Sequence, residues 1–256
     1  MPQKMDAEER MIKNILNGLS PDTKIYRVVN VDRFFELIEE RKLILVKPHK
    51  WDDPFENLLS KTIAINSKGE RIGFSITNDF FGQCWTLRKE CDGIWRNYAS
   101  LNNGVRLETT VRKLLSVLFN YESKWANIAC FIGKVIYKTE SEIKDNLADI
   151  ITQCLFDTSG KNTAKTLLIK RKEFEYEKEV RLLYSNKEIA KHTDVLAIEN
   201  IDIINLFDSF CFAPLMSNYL YNIYKEKMLQ YNIPENAITK SKLYEPYTVT
   251  IKTDIL

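Results

Sequence analysis

Histidine is nearly absent from this chain of 256 residues: there are two, His49 and His192. A hydrolase built on serine, histidine and aspartate would have to use one of them, and neither has a Gly-x-Ser-x-Gly partner. Cysteine numbers five (Cys84, Cys91, Cys130, Cys154 and Cys211), an odd count at irregular spacing without a Cys-x-x-Cys pair. That pattern argues against a disulfide framework and a zinc site, and for buried free thiols in a reducing cytoplasm. Glycine is scarce and scattered, eight in all, and no Gly-x-Gly-x-x-Gly exists. Gly160-Lys161 does not complete a phosphate loop, because Leu155 stands where the first glycine belongs and Asn162 replaces the Ser or Thr. Long apolar runs are missing too. Residues 201–216 are broken by Asp202, Asn205, Asp208 and Pro214, which makes them too short and polar to span a bilayer. The first ten residues carry acids and no apolar core, so no signal peptide is expected. Nor is there a charge excess: 37 basic against 35 acidic residues leave +2, too balanced for a dedicated duplex-binding protein.

What is present reads as an ordinary globular chain, 45% hydrophobic and 28% charged. A chain of this size can bury roughly 75% of its unfolded surface and needs no staples. Ile12, Ile15, Leu16 and Leu19 recur at helical spacing, with Gly18 placed to end a first helix. A strand over 25–29 precedes a helix striped by Phe34, Leu37, Ile38 and Arg41. Further strands are expected at 43–46, 83–87, 131–137, 195–198 and 210–212, and two more at 238–243 and 247–251. Ile143, Leu147, Ile150, Ile151, Cys154 and Leu155 predict one long amphipathic helix, and Ser217 is placed to cap a late one. Strands and helices mix without strict βαβ alternation. We therefore expect one α+β domain over 1–256, with a mixed, mostly antiparallel sheet and flanking helices. An N-terminal helix would occupy 1–20, and a C-terminal helix with strands 216–256.

The most informative stretch is Phe174-Glu175-Tyr176-Glu177-Lys178-Glu179-Val180-Arg181. Read as a strand of period two, it puts Phe174, Tyr176 and Val180 on one face and Glu175, Glu177, Glu179 and Arg181 on the other. Carboxylates at that spacing repel, so either water or a specific site must receive them. Three other stretches stand out. Residues 51–56, Trp-Asp-Asp-Pro-Phe-Glu, form either a loop locked by Phe55 and Pro54 or a border that brings Asp53 and Glu56 to a cleft. Trp95 and Tyr98 share a helical face, suited to core packing or to an aromatic wall for a flat ring. Tyr26-Arg27 ends an early strand, where the guanidinium is either a surface charge or a phosphate fork.

Together these stretches resemble a bacterial domain-of-unknown-function family. Its pattern is an early Tyr-Arg/Lys strand, an Asn-Asp-Pro-Phe-Glu loop, a Cys-Phe-Ser strand, a Trp-x-x-Tyr helix-turn with glycine, and a late Trp-x-x-Glu-x-Glu-x-Arg strand. Here they stand as Tyr26-Arg27, Asp52 to Glu56, Cys84-Trp85-Thr86, Trp95-x-x-Tyr98 with Gly104, and Phe174-x-x-Glu177-x-Glu179-x-Arg181, in the same order over about residues 24–215. Asp52 replaces Asn, Trp85-Thr86 replaces Phe-Ser, and Phe174 replaces Trp; none of these removes a charge.

The layout is in turn similar to that of ADP-ribosyltransferases, with an early Arg or His, a middle Ser or Thr and a late Glu. That resemblance implies Glu177, Glu179 and Thr86 as catalytic residues and Tyr26, Arg27, Trp95 and Tyr98 around the nucleotide. Asp53, Glu56 and Arg181 would shape the cleft, with Arg181 fixing Glu179 by an ion pair. It further implies NAD as substrate, no metal, and a nucleic-acid or protein acceptor. A cytoplasmic toxin or phage-defence effector would suit it. Two other readings stand beside it: a non-enzymatic nucleotide- or peptide-binding module, and a metal-dependent nuclease on Asp52, Asp53, Glu177 and Glu179.

Overall fold

The segments richest in β-branched and aromatic residues pair into one large sheet. The computed structural model describes residues 6–51, 53, 55–56, 58–65, 67–75, 77–123 and 128–252. Asp52 and Pro54 therefore lie outside the described residues. The strands are β1 (Ile15–Leu16), β2 (Lys24–Asn30), β3 (Leu43–Val46), β4 (Ile63–Ile65), β5 (Arg71–Gly73), β6 (Phe80–Thr86) and β7 (Gly104–Thr110). They continue as β8 (Cys130–Lys134), β9 (Ile136–Lys138), β10 (Ile169–Arg171), β11 (Glu179–Ser185), β12 (Val195–Ile198), β13 (Ser209–Phe212) and β14 (Ile238–Lys240). The main sheet has ten strands, with the order β1-β8-β11-β6-β2-β7-β13-β14 and with β3 and β12 branching from β6. Only β1–β8 and β13–β14 within it are parallel. The architecture is α+β, a mixed and mostly antiparallel sheet with helices packed on it.

The main core lies between the sheet and the helices around it. The Val31–Glu40 helix turns Val31, Phe34, Phe35 and Ile38 inward. The Phe34 ring meets Phe210 and Phe212 at centroid distances of 5.5 and 6.1 Å. The helix stops at Arg41, whose left-handed backbone (φ 54°) points the chain into β3. The Asn218–Gln230 helix begins as expected, with the Ser217 hydroxyl accepting from the Leu220 amide.

The sheet forks at β6. One edge of β6 pairs with β11 along its whole length, from Glu179↔Thr86 to Ser185↔Phe80. Its other edge is shared by two strands. β2 meets it at Tyr26↔Thr86, and β3 meets it at Val46↔Gly82. Between these contacts Gln83, Cys84 and Trp85 have no strand partner on that edge among the described residues. The Gln83 side chain spans part of the gap, donating to the Ile44 carbonyl at 2.9 Å and accepting from the Trp85 indole at 2.9 Å.

Several local expectations change. The N-terminal helix covers only Ala7–Ile12, and Ile15 and Leu16 leave it to pair with β8. Left-handed Asn17 and Gly18 then turn the chain. The long helix expected near 143–155 is two, Glu140–Asp145 and Leu147–Leu155, broken at Asn146. Residues 247–251 form no strand. Phe174 to Glu177 are not a strand either; Lys172–Glu177 is a 3-10 turn, and left-handed Lys178 (φ 46°) separates it from β11. Among the described residues no helix is long and apolar enough to cross a membrane.

Gly82 is required by close packing at the fork. A Cβ there would lie 2.6 Å from Trp51 Cζ2 and 3.2 Å from Leu183 Cδ2. Gly82→Ala is expected to cost about 1–3 kcal/mol of stability, read from denaturant unfolding, because the indole is rigid and already packed. An unchanged midpoint would mean that Trp51 yields freely.

Candidate active site

The fork in the sheet opens two adjoining lobes. The larger, about 580 Å³, is bordered by Val29, Leu37, Leu43, Ile44, Val46 and the indoles of Trp51 and Trp85. The smaller, about 240 Å³, is bordered by Tyr26, Arg27, Cys84, Thr86, Tyr98 and Glu177. Arg27, Val29, Arg33, Cys84 and Trp85 border both. Three residues far apart in sequence, Arg27, Thr86 and Glu177, thus meet in one cleft.

Their environments differ. Arg27 extends from β2, and its guanidinium forms no ion pair or hydrogen bond with the described residues. Burial presses its guanidinium below its usual value, as expected of a cation without a counter-charge. The Thr86 hydroxyl donates to the backbone carbonyl of Glu177 at 2.5 Å and accepts from the Arg88 amide at 3.0 Å. The Leu87 amide donates to the Lys178 carbonyl at 2.9 Å, and the Arg88 guanidinium donates to the Tyr176 carbonyl. The end of β6 therefore staples the 172–178 turn in place and sets Glu177 at the cleft wall. The Asn97 amide donates to the Tyr176 hydroxyl at 2.9 Å, a further tie to the same turn.

Behind Glu177 lies a buried charge cluster. Glu177 is 6% exposed, Glu179 3%, Glu56 4%, Lys170 6% and Arg181 0%. Lys170 Nζ lies 2.6 Å from Glu177, 2.8 Å from Glu56 and 3.3 Å from Glu179. Arg181 grips Glu179 with two parallel bonds of 2.9 Å and also reaches Glu56 at 3.1 Å. Its Nη1 donates to the Leu167 carbonyl at 2.6 Å, and its guanidinium lies 4.3 Å from the Trp51 ring centroid. Burial alone would raise the Glu179 carboxyl, but Arg181 and Lys170 overcome it and hold the group down to about 2. Burial wins at Glu56, whose carboxyl is raised despite Arg181. The Cys84 thiol donates to Glu179 and is pushed well up by burial and by that charge.

Of the residues singled out in the sequence, Tyr26, Arg27, Thr86, Tyr98 and Glu177 line the smaller lobe. Burial and the Glu177 charge raise the Tyr98 phenol, whose hydroxyl bonds that carboxylate. Glu56, Glu179 and Arg181 lie behind the wall. Asp53 is paired with Arg171 by bonds of 2.9 and 3.2 Å, and the Arg171 guanidinium sits between the Phe55 and Phe174 rings. Trp95, expected against the nucleotide, borders neither lobe. Its ring is buried with Val28, Ile94 and Ala213, and its indole donates to Glu90 at 3.0 Å. Lys170 was not anticipated; a lone lysine in the basic run Lys165 to Lys172 carries no local signal that it points inward. Among the described residues no group of three His, Cys, Asp or Glu side chains is arranged to hold a metal ion. Lys170 and Arg181 stand between the carboxylates.

The model of the family described as protein of unknown function (DUF2971) matches residues 94–182. No curated protein matches the chain. Among solved structures the chain is similar to Thermus sp. 2.9 DarT in complex with ADP-ribosylated ssDNA, at 10% identity and a TM-score of 0.40, covering 88% of this chain and 97% of that one. The complexes of the same protein with NAD+ and carba-NAD+ give TM-scores of 0.37 and 0.36 at 10% identity. They cover 88% and 86% of this chain and 98% and 96% of those chains.

The Glu179–Arg181 pair has a pH consequence. The folded value of Glu179 lies below the ordinary 4.5, so the pairing stabilises fully above pH 4.5 and is lost as pH falls to about 2. Its size is on the order of 3 kcal/mol. Glu179→Gln is expected to lower stability at pH 7 and to flatten the loss between pH 4.5 and 2, as measured by urea unfolding across that range. Parallel curves for variant and wild type would contradict the assignment.

Proposed function

We propose that the protein cleaves NAD at the nicotinamide-ribose bond and transfers ADP-ribose to a nucleic acid or protein. The observation that supports this is the meeting of Arg27, Thr86 and Glu177 in one cleft. A guanidinium unpaired among the described residues, at the junction of two lobes, suits a pyrophosphate, which it can grip with its planar fork. The larger, indole-bordered and mainly apolar lobe on one side of Arg27 suits one nucleoside half, and the smaller lobe holding Glu177 suits the other.

The chemistry follows from the carboxylate. As the bond from ribose C1′ to nicotinamide breaks, nicotinamide leaves with the electron pair and positive charge builds on the ribose ring. Glu177 faces that charge, already fixed and partly desolvated, so no reorganisation is needed during the reaction. The acceptor's nucleophile then forms the new bond at C1′ and gives up its proton to water. Tyr98 offers a half-exposed ring beside the same carboxylate. Thr86 acts through the backbone, holding the turn that carries Glu177. Such an enzyme would work in the cytoplasm, and its activity would suit a toxin or a phage-defence effector.

Labelled NAD supplied with cell extract or single-stranded nucleic acid tests the reading. The wild-type protein is expected to consume NAD. Glu177→Gln should lower kcat by roughly 100-fold or more with little change in KM, a loss of a few kcal/mol of transition-state stabilisation. Arg27→Ala should chiefly raise KM. NAD binding without turnover would instead mark a nucleotide-binding module, and absence of both binding and turnover would end the proposal.

A further inference from the structure

We propose that Lys170 is a positioning residue acting through Glu177, holding Oε2 of that carboxylate so that Oε1 faces the lobe among the hydroxyls of Tyr98 and Tyr176, which a ligand can displace. This rests on the transferase reading for its purpose, though not for its geometry. Lys170 Nζ donates to Glu177 Oε2 at 2.6 Å, whereas Oε1 is approached by the Tyr176 hydroxyl at 3.5 Å. The two oxygens are therefore unlike before any substrate arrives.

Lys170 and Arg181 have different tasks in the cluster. Arg181 serves Glu179 and Glu56, a backbone carbonyl and the Trp51 ring, all behind the cleft wall. Lys170 is the one cation ion-paired to Glu177 among the described residues. It is itself held rigidly. It comes from β10, which pairs in parallel with β9 through Lys170↔Tyr137. Its ammonium lies 4.7 Å from the Phe174 ring centroid and meets Glu56 and Glu179 as well. Three carboxylates against two cations leave the cluster with one net negative charge. Glu177 is the only one of the three bordering the lobe, so the geometry presents the surplus charge to the cleft. Without the ammonium, the like charges of Glu56 and Glu179 would push the Glu177 carboxylate out of register. Tyr98, Tyr176 and Tyr137, the other titratable neighbours, carry no compensating positive charge.

Two measurements decide the matter. The first needs no activity: carboxyl carbon NMR of protein labelled at glutamate Cδ, with Glu177 assigned through Glu177→Gln. Lys170→Met is expected to shift the Glu177 resonance and Lys170→Arg to return it toward the wild-type position; an unmoved resonance overturns the proposal. The second is kinetic. Lys170→Met should lower kcat for NAD consumption by roughly 30-fold or more while KM changes by less than about threefold, with partial rescue by Lys170→Arg. Should Lys170→Met not fold, the double variant Lys170→Met/Glu56→Gln, which preserves the cluster's net charge, is measured against Glu56→Gln with the same expectations. An unchanged kcat, or a change confined to KM, overturns the assignment. If wild-type protein consumes no NAD, the transferase reading fails, and the resonance still tests the hold of Lys170 on Glu177.

Discussion

Five buried charges from four separate segments hold the cleft in shape. Glu56 comes from the loop after Trp51, Lys170 from β10, Glu177 from the turn before β11, and Glu179 and Arg181 from β11 itself. Withdrawing ions from water costs several kcal/mol apiece, and mutual attraction offsets this only where the geometry is good. Here it is good. Arg181 binds Glu179 through two parallel bonds, and each carboxylate touches at least one cation. Each segment needs the others, since removing either cation leaves buried carboxylates without their partner and removing Glu179 strips Arg181 of its two parallel bonds. The cluster makes the loop, both strands and the turn mutually dependent.

The fork in the sheet supplies the space that this cluster faces. β6 is paired completely on one edge and divided between β2 and β3 on the other. A continuous sheet would have covered Gln83, Cys84 and Trp85; the division leaves them as the floor of a cleft. The result is one wall that is rigid and charged and another built mainly of aliphatic side chains and indoles, with Arg33, Glu36, Glu40 and Lys42 among its lining. At the junction, the Arg27 guanidinium has no ion-pair or hydrogen-bond partner among the described residues. The asymmetry between a paired cluster and a guanidinium unpaired among the described residues is what supports the proposed ligand site. Trp51 links the two features, pressed against Gly82 on the floor and lying beside the Arg181 guanidinium behind the wall.

Much of this was legible in the sequence where the signal was local. The Ser217 cap, the aromatic stripe of the Val31–Glu40 helix and the mostly antiparallel sheet follow from hydrogen-bonding side chains and hydrophobic period. The Glu179–Arg181 pair was legible too, because residues two apart on a strand share a face. Period two failed at 174–177. Left-handed Lys178 and the staple from Thr86, Leu87 and Arg88 are tertiary events, and alternation is blind to them. Trp95 was ambiguous because an aromatic on a helix face suits a core or a ligand equally. Lys170 was not visible, since one lysine in a basic run resembles any solvated charge.

The sequence by itself determined the α+β class, the scarcity of histidine and glycine that narrows the chemistry, and the short list of residues able to carry charge chemistry. These depend on composition and on neighbours within a few positions, which a linear reading can see. Only the tertiary structure decided that Glu177 borders the cleft while Glu179 is sealed behind it, that Trp95 packs in the core, and that Lys170 binds three carboxylates at once. Those outcomes depend on which strands pair and where the sheet divides. Contacts between residues as far apart as Glu56 and Lys170 are settled by the folded chain as a whole, because only there can the cost of burying a charge be offset by a partner from another segment.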